Sequence, residues 1–342
     1  SDSIIDNSGL ENHFVFEDIV CSAYLTYGKA IGLWSMQAGL RTEQVFTESS
    51  LKAPTDSTYN TDYFKVYPTF HLNYKMDESS SIMASYTRRV NRPSFYALNP
   101  FPQYSDPYNL RMGNPFLRPE FINSFELGYQ KFSKGTTFTS SIYAKDVNDL
   151  QRRFVEVDSN NVTTVTRRNL NGSFDLGFEF MISKQVNKAF NFMLSTNIFH
   201  SKMDASNLTS DFDESTFGMR SSFNLGWKKN DHKFQASGWI RPGGKIGQGR
   251  MYTMFSTDLA YSRPLFSKKG KLTLRISDVF NTRRFGIDTY GRNFDQSFLY
   301  NRLSRFFTIN ISYNFGDQEK ASKQRRGNYG GYDSGGMDNG FF

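Results

Sequence analysis

Four pairs of adjacent arginines are the residues whose type and spacing best suit chemistry: Arg88-Arg89, Arg152-Arg153, Arg167-Arg168 and Arg283-Arg284. A guanidinium carries a planar fork of donors that fits an oxyanion with two parallel hydrogen bonds. The four histidines, His13, His71, His200 and His232, are too scattered to suggest a metal site. Cys21 is the only cysteine, which rules out an internal disulfide, and it reads as a small hydrophobe. There is no Gly-rich phosphate loop and no cysteine pair. Nothing here forms a catalytic constellation, a cofactor site or a metal site, so the expectation is a protein that is not an enzyme.

A second group is aromatic. Phe95, Tyr96, Phe101, Tyr104 and Tyr108 lie among Pro93, Pro100, Pro102, Pro107, Pro115 and Pro119. Prolines fix φ and remove donors, so this stretch reads as a stiff, non-repetitive loop. Its aromatics either fold inward as a private core that props the structure, or present a surface to a substrate or a partner chain.

The elements that must position these residues are strands. From Phe307 to Phe315 every odd residue is large and apolar, and every even residue is small or polar. Period two means a strand with one oily and one wet face. The pattern recurs with Phe125, Leu127 and Tyr129; with Phe174, Leu176, Phe178, Phe180 and Ile182; and with Phe217, Met219, Phe223, Leu225 and Trp227. Asp175 and Glu179 alternate with the third of these oily stripes. In a dry sandwich core they would be costly, and in a water-filled lumen they are not. The oily face then meets lipid, as in a transmembrane antiparallel β-barrel. A mean hydropathy of −0.56 fits, because alternating strands average to a soluble-looking value. The 34 Phe and 19 Tyr fit interfacial girdles. The net charge of +8 comes without a nucleic-acid motif, so it reads as surface charge toward anionic lipid.

Taken in order, residues 1–14 read as a loop and Asp18 to Gly28 as the first strand, turning at Lys29-Ala30. A strand through Glu43 leads to a long loop over 45–61. Pro68 is expected to bulge or locally unpair the next strand. Turns are expected at Asp77-Glu78, Lys134-Gly135, Val186-Asn187, Asn230-Asp231 and 262–270. Strands are expected over 136–155, from Met251 to Tyr261, and over 271–289. The total is about thirteen strands, with short turns and long loops alternating as periplasmic and extracellular connections. A loop at one end and a C-terminus on the periplasmic side fit the C-terminal part of a larger barrel, covering residues 1–316. Residues 317–342 are basic from Lys320 to Arg326 and then rich in Gly, Tyr and Asp. They read as a disordered periplasmic tail, or as a docking peptide ending in Phe341-Phe342.

The run from Tyr86 to Glu120 is specific. It contains Arg92-Pro93-Ser94-Phe95, Leu98-Asn99-Pro100-Phe101 and Gly113-Asn114-Pro115-Phe116-Leu117-Arg118-Pro119-Glu120. With Gln37 to Glu43 and Ile276-Ser277-Asp278-Val279-Phe280-Asn281-Thr282, it closely resembles the Bacteroidota outer-membrane β-barrel family of TonB-dependent-receptor type over residues 17–316. The resemblance implies about 22 strands around an N-terminal plug, with energy supplied through TonB. About nine strands, the plug and the TonB-contacting segment would lie upstream. It implies uptake of a nutrient across the outer membrane, with a scaffold subunit holding surface lipoproteins or other outer-membrane proteins as the alternative. A soluble all-β binding protein is a third reading. In the barrel setting the double arginines are placed toward the outer ends of their strands, one inward and one outward in each pair. They either snorkel and pair with loop carboxylates, or the outward ones hold phosphates of lipopolysaccharide. By resemblance to other barrels, the closing aromatics Tyr313 and Phe315 would be read by the assembly machinery; they also suit a lipid-facing girdle.

Overall fold

The computed structural model describes residues 13–53, 56–208, 214–246, 248–291 and 294–315. Alternation becomes long strands joined by hairpins. They are β1 (His13–Ile31), β2 (Trp34–Ala53), β3 (Ser57–Lys75) and β4 (Ser80–Asn91). A loop follows with α1 (Phe95–Leu98), β5 (Gln103–Asp106) and β6 (Asn109–Arg111). Next come β7 (Glu120–Ser133), β8 (Thr136–Asn148), β9 (Gln151–Val157), β10 (Thr163–Asn169) and β11 (Gly172–Gln185). The chain continues with β12 (Phe190–Asp204), β13 (Glu214–Lys229), β14 (His232–Arg241), β15 (Gly244–Lys245) and β16 (Gly249–Met251). Last are β17 (Met254–Leu265), β18 (Gly270–Ser277), β19 (Arg284–Gly291), β20 (Phe294–Asn301) and β21 (Phe306–Tyr313).

Thirteen of these form one antiparallel sheet in the order β1-β2-β3-β4-β7-β8-β11-β12-β13-β14-β17-β18-β21. The expected strand count and class are therefore observed. The sheet is not closed: β1 and β21 are its two edges. The remaining strands make two four-stranded sheets at the loop end, β5-β6-β10-β9 and β15-β16-β19-β20. Among the described residues, no helix is long and apolar enough to cross a membrane.

One face of the large sheet carries the oily stripes. Leu25 is 75 % exposed and Ile309 is 59 % exposed, with Phe64, Leu127, Ile142 and Phe178 also open. Such a continuous apolar surface is stable only against hydrocarbon. The opposite face is polar and internally bonded. Asn197 donates to Glu179, Ser201 to Asp175, and the Tyr143 hydroxyl to Asn197 at 3.1 Å. Register puts these residues side by side, Glu179 opposite Asn197 and Asp175 opposite Ser201.

Several boundaries differ from the sequence reading. β1 runs through Lys29-Ala30 and turns at Gly32-Leu33, where Gly32 takes φ +58° at no steric cost. Residues 45–53 and 57–61, expected as loop, continue β2 and β3 in unbroken register up to Leu51 opposite Ser57. Strands of 19–20 residues exceed the ~10 needed to span a bilayer. Beyond the bilayer both faces meet water, so the oily contrast fades while Thr- and Tyr-rich backbone pairing persists. Pro68 stays in register with Leu40. The ladder to β4 nonetheless stops at Thr69, beside the residue that has no N–H. The expected strand 136–155 breaks at Asp149, φ +57°, into β8 and β9. The strand expected over 271–289 breaks at Asp278 and Asn281, both at positive φ, into β18 and β19. The strand from Met251 to Tyr261 breaks after Met251, between β16 and β17. In each case an alternating pattern continues across a kink that carries the chain out of the barrel wall. His13 and Phe14 already belong to β1. Residues 1–12 and the tail 317–342 lie outside the described residues.

Short turns close the end opposite the loop sheets. In one, the Asp77 carboxylate accepts the Ser79 backbone N–H at 2.6 Å, the Ser79 hydroxyl at 2.8 Å and the Ser80 hydroxyl at 2.7 Å. The serine hydrogen bonds, Ser80's first, hold its pKa down at about 2. The folded value lies below the ordinary 3.8, so the turn favours the charged form. That contribution is complete above the ordinary value and is lost as pH falls through about 2. Asp77→Asn should lower the heat-unfolding temperature at pH 7, and the gap to wild type should close between about pH 4 and pH 2. Phe178 lies seven residues from the Gln185 end of β11. That is ~16 Å along the membrane normal for a strand tilted ~45°, near the middle of the hydrocarbon. Phe178→Arg should cost about 2–4 kcal/mol in refolding titrations into bilayers, whereas Glu179→Arg on the wet face should cost far less.

Candidate functional site

The long loop after β4 folds against the inner face of β1, β2 and β3. Register places Arg41, Glu43 and Val45 on that face, opposite Tyr67, Lys65 and Tyr63. Arg92, the residue after β4, reaches back to them. Its Nη2 lies 2.6 Å from Glu43 Oε2, and its Nε donates to the Tyr63 hydroxyl at 3.0 Å. Arg41 adds a second contact to Glu43 at 3.4 Å and lies 5.0 Å from the centre of the Tyr67 ring. Glu43 is only 4 % exposed, and these two cations offset the cost of burying a carboxylate there. Nearby, Phe95 of α1 packs on Phe14 at 5.1 Å and on Phe16 at 6.4 Å.

The two halves of the Pro-rich motif zip together. Gly113 N–H donates to Asn99 O at 2.8 Å and Asn114 N–H to Ala97 O at 2.7 Å. A Cβ on Gly113 would stand 2.4 Å from Asn99 O, which explains a glycine there. Glu120 then anchors the loop's far end, accepting Asn91 Nδ2 at 2.7 Å and Gln151 N–H at 2.6 Å. The Gln151 amide in turn donates to Arg118 O at 3.2 Å. The loop's interior is Leu98, Asn99 and Leu117, all buried. The aromatics do not form that interior. Phe101 is half-buried and Phe95 only partly covered, while Tyr96 (78 % exposed), Tyr104 and Tyr108 are open. Proline-fixed backbone and amide contacts fill the role expected of the rings.

Three of the four arginine pairs do not sit where a continuous-strand reading puts them. Arg88 and Arg89 are on β4 as expected. Arg88 continues the outward stripe of Ile82, Ala84 and Tyr86, but it is half-buried, with its guanidinium 6.0 Å from the centre of the Phe121 ring. Phe121 fills the wedge where β3 and β4 diverge, also meeting Lys65 and Tyr63. Arg89 has the opposite parity and is exposed. The other three pairs have left the barrel wall. Arg152-Arg153 and Arg167-Arg168 lie on β9 and β10 and face each other, Arg153 opposite Arg167 and Arg152 opposite Arg168. Arg283 precedes β19 and Arg284 begins it, both exposed. Arg168 is held by Glu156 at 2.9 Å and stacks 4.3 Å over Phe154. Surrounding protein lowers the pKa of Arg152 and Arg153, while Glu120 and Asp175 partly offset this for Arg152. Arg152 therefore belongs to the inner side of the mouth.

Two further contacts organise the loop end. The Gln248 amide pairs with both backbone groups of Val155, at 2.7 and 2.9 Å, and so joins the two loop sheets. Asp278, 1 % exposed, accepts the Thr282 and Arg283 N–H groups at 3.1 Å each and the Ser304 hydroxyl. This caps the kink that ends β18. At the other end, the inner face holds a cavity of about 650 Å³. Lys228 of β13, Lys233 of β14 and Lys271 of β18 line it from the wall, Lys188 and Lys268 from turns, and Asp231 is its one lining carboxylate. The closing aromatics Tyr313 and Phe315 meet edge to face at 4.7 Å, with Phe315 91 % exposed. No group of side chains that could hold a metal occurs among the described residues.

An oily outer face, a polar inner face, short turns at one end and loops folded into the other define an outer-membrane β-barrel wall with a built mouth. The chain belongs to the outer membrane protein β-barrel family, whose model matches residues 1–313. Solved structures agree on the fold. The copper transporter OprC matches at TM-score 0.64 and 13 % identity, over 88 % of this chain and 48 % of its own. The siderophore receptor PiuA from Acinetobacter baumannii matches at 0.65 and 15 %, over 88 % and 44 %. The ferric yersiniabactin uptake receptor FyuA from Yersinia pestis matches at 0.61 and 12 %, over 89 % and 46 %. The chain spans about half the length of these structures. No curated protein matches. The protein is therefore placed in the outer membrane.

Glu43, Arg92, Glu120, Gln151 and Gln248 were not evident as site residues from sequence. Glu43, Arg92 and Glu120 each stand inside one of the motif runs, and the charge of Glu43 on an inner face beside Arg41 is a further local signal. Glu43→Ala leaves Arg92 without its partner and should cost about 3 kcal/mol, with faster proteolytic nicking between 92 and 119. Chemical unfolding in detergent and timed limited proteolysis would measure both.

Proposed function

We propose that this chain forms part of the wall and the outer mouth of a TonB-dependent uptake barrel, carrying a nutrient across the outer membrane. The observation that carries the reading is the pair of unpaired edges, β1 and β21, on a sheet whose outer face suits only lipid. Hydrocarbon offers no partner for edge N–H and C=O groups, so a spanning sheet must close. Upstream strands of the same protein, bringing the count to about 22, would close it. A plug and a TonB-contacting segment would come with them. The structures it resembles include a copper transporter and siderophore receptors, which supports uptake over catalysis. Contact with lipopolysaccharide phosphates is part of the proposal, assigned to the exposed rim arginines Arg283 and Arg284. Recognition of Tyr313 and Phe315 during assembly rests on their place at the exposed end of the edge strand.

Exposed Tyr96, Tyr104, Tyr108 and Phe116 on the loop favour one second reading, a scaffold that holds surface lipoproteins. One experiment separates the two. The intact protein is cross-linked in living cells, purified from outer membranes and its partners identified. Uptake of ferric citrate, a ferric catecholate and cupric ion is compared with and without TonB. Recovered TonB and TonB-dependent uptake are the expected result. Stoichiometric surface lipoproteins with no TonB would replace transport by scaffolding.

A further inference from the structure

The β5-β6-β10-β9 sheet separates its arginines by face. Arg153 lies directly opposite Arg167 on one side of the sheet. Arg111 of β6 joins them on that side, because it pairs with Val165, two residues from Arg167. Direct neighbours are roughly 5 Å apart at Cβ and diagonal ones roughly 7–8 Å. The other side carries Arg152 and Arg168. There Arg168 has Glu156, and Arg152 feels Glu120 and Asp175. Among the described residues, Arg111, Arg153 and Arg167 have no ion pair and no side-chain hydrogen bond, and all three are exposed. Like charges directly opposite across a ladder repel. This face keeps the repulsion, while on its reverse Glu156, four residues along β9 from Arg152, neutralises Arg168.

We propose that Arg111, Arg153 and Arg167 form a subsite for a polyanion, a ligand with two or more adjacent phosphates or carboxylates. Its oxygens, a few ångströms apart, match guanidinium forks at this spacing, and binding relieves the repulsion. The sheet hangs from the inner side of the mouth, through Gln151 on Glu120 and Gln248 on Val155. The ligand is therefore a soluble one at the entrance, not a headgroup of the surrounding leaflet. The lysine-lined cavity at the far end of the inner face independently carries the same sign of charge. An anion admitted by the triad meets attractive potential again below it. As a statement about substrate class, this rests on the uptake reading; as a binding site, it stands without it.

The test is calorimetric titration of the intact protein in detergent with inorganic pyrophosphate and with citrate, at low and moderate salt. Arg111→Gln/Arg153→Gln/Arg167→Gln should weaken both at least about tenfold and flatten the salt dependence. Glu156→Gln/Arg168→Gln, on the reverse face, should change them less than about twofold. Heat-modifiable migration confirms that each variant is folded. A second arm measures binding to vesicles containing lipid A, which should be unchanged in the triple variant. Pyrophosphate and citrate binding unaffected by the triple substitution, or absent from wild type, overturns the proposal. Loss of lipid A binding alone also overturns it, assigning the triad to the leaflet. Because the titration needs neither TonB nor uptake, a failure of transport leaves its outcome readable.

Discussion

A bilayer has no water to satisfy a backbone, and the rest of this structure follows from that constraint. Every N–H and C=O in the spanning region must find a partner on the next strand. The thirteen-stranded ladder provides this between neighbouring strands, each registered on its predecessor in the sheet, and leaves only its edges β1 and β21 open. Once pairing is compulsory, side chains have two destinations. The odd-and-even choice along β11 or β13 sends Phe and Leu to lipid and Asp, Glu, Asn or Arg inward. The inner polar groups then bond one another, as Tyr143, Asn197 and Glu179 do, without being dry.

The same constraint ends where the bilayer ends, and there the structure changes character. β2 and β3 run on as a paired ribbon in water. β8 and β18 stop at residues with positive φ, and the chain moves into small sheets at the loop end. These sheets are held by a few buried polar anchors in place of hydrophobic area: Glu43 with Arg92, Glu120 with Gln151, Asp278 with its capped turn. Each anchor is a buried carboxylate; Glu43 and Glu120 take donors from segments distant in sequence, and Asp278 takes them from its own turn and from Ser304. Such anchors fix geometry tightly, since leaving any of these oxygens unpaired would be costly. The stiff mouth keeps unneutralised guanidiniums on one face and paired ones on the other.

The wall was legible from sequence because its code is local. Phe307, Ile309 and Ile311 alternate with Thr308, Asn310 and Ser312 whatever lies elsewhere, and β21 follows them. The two-part motif around Asn99-Pro100 and Gly113-Asn114 was visible as something special, but its reason was not. Its halves bond to each other through Asn99 and Gly113. The aromatics were legible as either a private core or a presented surface, and they are largely exposed. Aromatic type alone does not tell burial when prolines and amides can close a loop.

By itself the sequence determined that this chain is a run of spanning strands, which side of each meets lipid, and where most of the short turns lie, the first falling at Gly32-Leu33 and not at Lys29-Ala30. Those choices depend on one residue and its immediate neighbours in a uniform medium. Only the tertiary structure decided which charges meet. Arg153 faces Arg167, Arg111 joins them, and Gln248 reaches Val155 from 93 residues away. Such encounters are set by where thirteen paired strands deliver their loop ends, a geometric consequence that no local period encodes.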